Sequence, residues 1–238
     1  ALLVLLLLFF CGGKKKKILT SVFIILAGIL LIRGYSVTSY LTFLLIIILI
    51  PILRRFKLKS YLDLGLLSIF IAGLGGLSLW FIFNLENLLA VFNRDLSLTG
   101  RTIIWEASLT ALSNQPILGY GFSGFWTGWH GPSAYVLNIF GKEINQAHNG
   151  FIDVALQIGL VGLIILLIQI SMSLMRAIRL LIDEKATWLS LWPILYLFLF
   201  IMINIVENVL LRQNDLYWVI YVSTVISLVK SKESKSYG

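Results

Sequence analysis

The chain has 238 residues, 59% of them hydrophobic, with 19 Lys and Arg against 11 Asp and Glu, for a net charge of +8. A soluble domain is about 45–50% apolar, so a soluble globular fold is excluded, and unbroken runs such as LLIIILI at 44–50 exclude the alternating strands of a transmembrane barrel. The cations gather between apolar runs, as in cytoplasmic loops rather than on a nucleic-acid surface, and the single Cys11 excludes a disulfide framework and a cysteine-held metal.

In chain order, the first apolar run, ALLVLLLLFF at 1–10, follows no Met and no basic stretch, unlike a signal peptide. Phe9 and Phe10 before Cys11 also differ from a lipoprotein cleavage site. The chain reads as the C-terminal part of a longer membrane protein, with N-terminal helices missing. Apolar segments occupy 1–11, 18–32, 40–53 and 61–83, and then 149–173, 188–206 and 216–229. A helix needs about 20 apolar residues to cross a hydrocarbon core. Segments 18–32 and 40–53 are short by that measure, so they are either spans or the arms of a re-entrant hairpin.

Four basic clusters separate the segments: Lys14 to Lys17; Arg54, Arg55, Lys57 and Lys59; Arg176, Arg179 and Lys185; and Lys230, Lys232 and Lys235. Placed on one side, they give that side 14 of the 19 cations, 4 of the 11 acids and a net charge of +10, against −2 on the other. The bias assigns the clusters to the cytoplasm. The expected organisation is transmembrane helices over 1–83, an extracytoplasmic loop over 84–148, three transmembrane helices over 149–229 and a basic cytoplasmic tail at 230–238. The fold class is all-α, a polytopic transmembrane helix bundle with one large, ordered outer loop.

Within that loop, LSLTGRTIIWEASLTALSNQP predicts a short amphipathic helix over Thr102–Ser113, capped by Ser97 or Thr99 and followed by Pro116. Arg101 and Trp105, four apart, share a face. Either the helix lies on the bilayer with Arg101 on lipid headgroups, or Arg101 binds a substrate phosphate through its planar guanidinium. Next, Gly119, Gly121, Gly124, Gly128 and Gly131 interleave with Tyr120, Phe122, Phe125, Trp126 and Trp129. These rings either stack on sugars or form an aromatic belt at the membrane interface. His130 reads as a plain loop residue.

His148 stands at the mouth of the next apolar run, in QAHNGFIDVALQIGLVG, with Asn149 and Gly150 after it. It is either a cap at the helix end or a working group. Asp153 and Gln157 lie one turn apart just inside that run, where polar residues are costly and face a cavity. Gly159 and Gly162 allow close approach of a neighbouring helix. Glu207, Asn208, Arg212, Asn214 and Asp215 read as a salt-bridged helix turn or as a completion of the site. Walker, GxSxG, HExxH and paired-histidine metal motifs are missing from the sequence, so no metal or cofactor is expected.

The ordered set LTGRTIIW, NQPILGYGFSGFW and AHNGFIDVALQIGLVG resembles the C-terminal half of the O-antigen ligase and O-antigen polymerase family. Motifs support the resemblance over roughly residues 95–170, and topology supports it elsewhere. It implies a bacterial inner-membrane protein with a GT-C-like bundle. Such a protein moves a glycan from an undecaprenyl-diphosphate carrier onto an acceptor hydroxyl, without a metal. The family's essential loop Arg maps to Arg101 and its essential His to His148. A second family Arg has no clear counterpart: Tyr40 in YSVTSYL stands where it is often found, leaving Arg33 or Arg94 to substitute. Trp105, Tyr120, Trp126 and Asn149 are the further candidate substrate contacts.

The implied chemistry gives Arg101, with Arg94 or Arg33, the charge that develops on the departing diphosphate. His148 either takes the acceptor's proton, as a positioned imidazole base does, or binds diphosphate as a cation. Implied partners are the carrier-linked glycan donor, a glycan or lipid-sugar acceptor, the lipid bilayer and other polysaccharide assembly proteins, with no nucleic acid. The stretch ENVLLRQNDLYWVIYV leans toward a polymerase or exopolysaccharide member. The alternatives are a transporter or flippase for lipid-linked saccharides, and a non-catalytic subunit of an export complex. Helix centres nearly free of charge count against ion coupling.

Overall fold

The computed structural model describes residues 13–34, 37–55, 98–182 and 187–236, together with Leu6, Phe9, Gly73 and Gly76. The apolar segments expected at 1–11 and 61–83, Arg94 and Ser97 lie outside the described residues, apart from those isolated positions. Among the described residues every regular element is helical, as the all-α class requires. In chain order they are α1 (Lys14–Arg33), α2 (Val37–Arg55), α3 (Leu98–Leu112), α4 (Ala134–Phe140), α5 (Gly150–Ile182), a 3₁₀ turn (Trp188–Leu191), α6 (Trp192–Val206) and α7 (Leu216–Ser236).

α1 and α2 outrun their apolar segments because they take in the flanking cations Lys14 to Lys17, Arg33, Arg54 and Arg55. Their 20 and 19 residues reach about 30 and 28 Å at 1.5 Å per residue. Among the described residues, Gly150–Ile182 and Leu189–Val206 are long and apolar enough to cross a membrane, while Leu216–Lys230 is a shorter apolar helix. α7 continues through the basic cluster expected as a tail. α3 starts before the expected Thr102, so Thr99 lies inside the helix rather than capping it.

The chain divides into two compact units. The first contains α1, α2, Ser173–Leu199 and the part of α7 from Thr224. On α1, Ile18, Leu19, Ile25, Leu30 and Ile32 are exposed, an apolar surface larger than water-soluble helices leave open.

The second unit contains α3, α4, the loop between them, α5 up to Met172, and Phe200–Ser223. Its core gathers Ile104, Ala107, Ala111 and Leu112 of α3, Phe125 of the loop, Val136 of α4, Ala147, and Ala155 and Leu156 of α5. On α3 the buried positions recur at helical spacing, which turns one stripe inward. Trp105, Tyr120, Trp126 and Phe140 pack on the rim of this core.

α5 is broken near its start. Ile158 (φ −125°, ψ 16°) and Gly159 (φ 67°, ψ −176°) leave helical geometry. The loop backbone fills the break. Tyr120 N–H donates to Leu156 O at 2.8 Å and Gly121 N–H to Gln157 O at 2.9 Å, while Leu160 N–H donates to Pro116 O at 2.8 Å. Gly159 therefore accommodates a loop, not the neighbouring helix expected from sequence. A Cβ there would stand 2.0 Å from Ile117 O, and one on Gly119 (φ 67°) 2.6 Å from Leu156 O.

Candidate functional site

Arg101 lies in the first turn of α3, at the edge of the second unit's core. Its guanidinium donates to the carbonyl of Val206 at 2.6 Å and to Glu207 Oε1 at 2.9 Å. The other carboxylate oxygen of Glu207 stands 3.4 Å from His148 Nδ1. One carboxylate therefore joins the two residues singled out in the sequence, reaching across 106 and 59 positions of chain. The side chains of Arg101, His148 and Glu207 are 22%, 32% and 46% exposed, so the cluster opens to its surroundings.

Glu207 follows the last residue of α6, and Asn204 fixes the turn there. The Asn204 amide donates to Phe200 O at 2.8 Å, and its Oδ1 accepts the N–H groups of Val209 and Leu210 at 3.2 and 3.1 Å. Gly150 N–H donates to Glu207 O at 3.1 Å. A Cβ on Gly150 would fall 2.2 Å from Asn204 Oδ1, so close approach of α5 to this turn requires glycine. The hydrogen bond from His148, followed by the positive charge of Arg101, holds the Glu207 carboxyl below its usual range against the opposing effect of burial.

His148 has φ 53°, the left-handed region that costs a residue with a Cβ about 1–2 kcal/mol. Such strain persists where the surroundings over-determine it, and they do so here through Ala147. Ala147 N–H donates to both oxygens of Asp153 at 3.1 Å, and its carbonyl accepts the indole N–H of Trp105 at 2.8 Å. Asp153 is fully buried, and Trp126 Nε1 donates to it at 2.6 Å. Asn149 Oδ1 accepts the N–H groups of Phe151 and Ile152 at 3.0 and 3.2 Å. The helix cap is thus Asn149 rather than His148, and the side-chain oxygen of Asn149, a candidate substrate contact, is held by the helix. Gln146 Nε2 lies 3.3 Å from His148 Nδ1.

The other aromatic candidates also use their polar atoms internally. Tyr120 OH donates to Ala111 O at 2.7 Å. The fully buried Phe125 packs between the rings of Tyr120 and Trp126, with centroids at 5.0 and 4.8 Å. His130 is exposed in the loop. Arg33 ends α1 in the first unit, where Tyr40 OH donates to Ile32 O at 2.6 Å. The cation of the described cluster is Arg101. Among the described residues no group of three or more His, Cys, Asp or Glu is gathered as a metal site.

The polar set after α6 does not form the expected salt-bridged helix turn. Glu207 pairs with Arg101, while Asp215 caps α7 by accepting the N–H groups of Tyr217 and Trp218 at 2.8 and 3.3 Å. Glu207 and Asn204 are the members of the site that sequence reasoning underrated or missed. Their one signal was a pair of polar residues where an apolar run ends.

Residues 22–167 match a family model described as O-antigen ligase. The chain is also similar to the exopolysaccharide production protein ExoQ of Rhizobium meliloti (strain 1021), with 26% identity over 166 residues. That alignment covers 67% of this chain and 38% of the relative, so the chain spans well under half of the relative's length. No solved structure gives a significant match.

Proposed function

The chain belongs to the O-antigen ligase family, and from that premise we propose that it carries the glycan-transfer site of an enzyme of surface polysaccharide synthesis. The donor is a glycan on undecaprenyl diphosphate in the bacterial inner membrane, and the acceptor is a hydroxyl of a second glycan or a lipid-borne sugar. The single observation that carries this reading is Glu207 joining Arg101 to His148. The name of the relative favours an exopolysaccharide product.

In this mechanism the Glu207 carboxylate, a stronger partner for Nδ1 than the neutral Gln146 amide, favours the imidazole tautomer protonated at that nitrogen, with the Gln146 amide turning its oxygen toward it, which leaves the Nε2 lone pair free. His148 Nε2 takes the proton of the acceptor hydroxyl as its oxygen bonds to the anomeric carbon. The bond from that carbon to the diphosphate oxygen breaks, and the diphosphate leaves with the electron pair. Direct displacement inverts the anomeric centre. A guanidinium has five donors. Two of those on Arg101 hold Val206 and Glu207, and the others face the developing negative charge. No metal is needed for these steps. The catalytic loop is extracytoplasmic, and further assembly proteins act beside it.

The test uses the full-length gene in a deletion host. Surface polysaccharide is compared by gel for wild type, Arg101→Ala and His148→Ala, with membrane levels of each checked. Loss of long-chain glycan, with carrier-linked units accumulating on the outer leaflet, supports transfer. Normal glycan from both variants overturns it.

A further inference from the structure

We infer that the loop segment Pro116–Gly121 is a membrane-inserted tip, and that acyl chains of the outer leaflet are its partner. This goes beyond the transfer reading and does not depend on it. Three observations converge.

The first is backbone accounting. In a regular helix the N–H groups of Leu160 and Val161 pair with the carbonyls of Leu156 and Gln157. Here all four pair with the loop instead: Leu160 N–H with Pro116 O, Val161 N–H with Ile117 O, Leu156 O with Tyr120 N–H, and Gln157 O with Gly121 N–H. Ser123 N–H adds a bond to Gln157 Oε1 at 3.0 Å. Water satisfies a helix break without help. Irregular backbone at membrane depth persists only where protein or a water-filled cavity satisfies it, and here the loop supplies every partner.

The second is continuity of apolar surface. Ile117 and Leu118 are 66% and 74% exposed. Their backbone is bonded to α5 where Leu160 and Val161 begin an exposed apolar stripe that continues through Ile164, Ile165 and Ile168. From Leu160 to Met175, the last residue before Arg176 of the basic cluster, the helix rises about 23 Å at 1.5 Å per residue, short of the ~30 Å of hydrocarbon, so the hydrocarbon reaches past Leu160 to the residues bonded there. A tip bonded to the top of that span enters the same hydrocarbon.

The third is charge. No Asp, Glu, Lys or Arg lies between Glu106 and Lys142, although this stretch belongs to the long interval between apolar runs. A water-exposed loop has no reason to exclude charge over such a length, whereas a segment touching lipid does. His148 precedes α5, whose first residue stands about 12 Å of helix above the break. The tip therefore fixes the height of the imidazole above the hydrocarbon.

The test is quenching of a single bimane label on the full-length protein in phosphatidylcholine nanodiscs, with native cysteines, Cys11 included, replaced by Ser. Labels are placed at Leu118→Cys and Ile117→Cys, with Ile164→Cys as the lipid reference and Lys142→Cys as the aqueous one. These side chains are exposed, so the substitutions leave the backbone bonds in place. The expected result is doxyl-lipid quenching at Leu118 within about twofold of that at Ile164, and iodide quenching about fivefold below that at Lys142. Iodide quenching at both tip positions equal to Lys142 overturns the inference. Protection of both from either quencher also overturns it, because protein then covers the tip.

Discussion

The indole N–H of Trp105 donates to the carbonyl of Ala147 at 2.8 Å, and the N–H of the same Ala147 donates to the buried carboxylate of Asp153 at 3.1 Å. His148 is the next residue, held at φ 53°. Both polar atoms of the residue ahead of the imidazole are therefore fixed, one by the helix that carries Arg101 and the other by the helix that His148 introduces. Neither anchor needs to touch substrate to decide where the imidazole points.

Trp105→Phe keeps most of the ring packing and removes the N–H. The expected cost in stability is about 1 kcal/mol, the usual net value of one hydrogen bond. Under the proposed role of His148, glycan transfer falls further, by about tenfold or more, because a misplaced base loses most of its effect. Combining Trp105→Phe with His148→Ala gives no additional loss of transfer, since coupled residues are non-additive. Additive losses would mean that Trp105 acts independently of His148, for instance by stacking on a sugar.

Glu207 has a carboxyl pKa held below its ordinary value. A depressed carboxyl pKa contributes stability that is present above the unfolded value and is lost as pH falls through the folded value. Wild type therefore exceeds Glu207→Gln in thermal stability at neutral pH, and the gap narrows on acidification below the usual carboxylate range. The gap is modest because the side chain is 46% exposed and solvent screens it. Melting curves in detergent at a series of pH values read this directly, and a pH-independent gap would contradict it.

Gly159→Ala meets two obstacles. The backbone is at φ 67°, and the added Cβ falls 2.0 Å from Ile117 O. The conformational cost alone is about 1–2 kcal/mol, and the clash forces the loop out of the α5 break. Proteolysis between Pro116 and Gly121 should accelerate in membranes carrying this variant. Gly28→Ala, at helical φ in α1 with nothing within 4 Å of the added Cβ, should not expose that loop. Equal protection of Gly159→Ala and wild type would show that the break closes without its loop.

Arg101→Lys keeps the charge but not the fork. Arg101 reaches Val206 O and Glu207 Oε1 with two different nitrogens, whereas one ammonium presents a single compact centre. The variant should accumulate normally in membranes while most long-chain glycan is lost on gels. Wild-type chain length from Arg101→Lys would show that charge suffices without the directional bonds.

Much of the site was legible in the sequence where chemistry is local. Arg101 stood in a recognisable helix start and His148 two residues before Gly150 at the mouth of an apolar run. Asn149 illustrates the limit, because its residue type suits a cap and a ligand contact equally, and only the bonds to Phe151 and Ile152 select the cap. Gly159 was a correct signal for close approach attached to the wrong partner: a missing Cβ shows that something comes near but not what. Trp105, Tyr120 and Trp126 declared apolar rings with a polar edge, but not where each edge would be satisfied.

By itself the sequence determined the helical class, the apolar lengths and the charge-free stretch between Glu106 and Lys142, because hydropathy and periodicity act over a few turns of chain. Tertiary structure alone decided that Glu207 meets Arg101 and His148, that Trp105 and Asp153 hold Ala147, and that residues 116–121 fill the α5 break. The physical reason is the same in each case. Each is a polar group, buried or half-buried, that finds its partner wherever the packed backbone delivers one, at a sequence separation that no local pattern encodes.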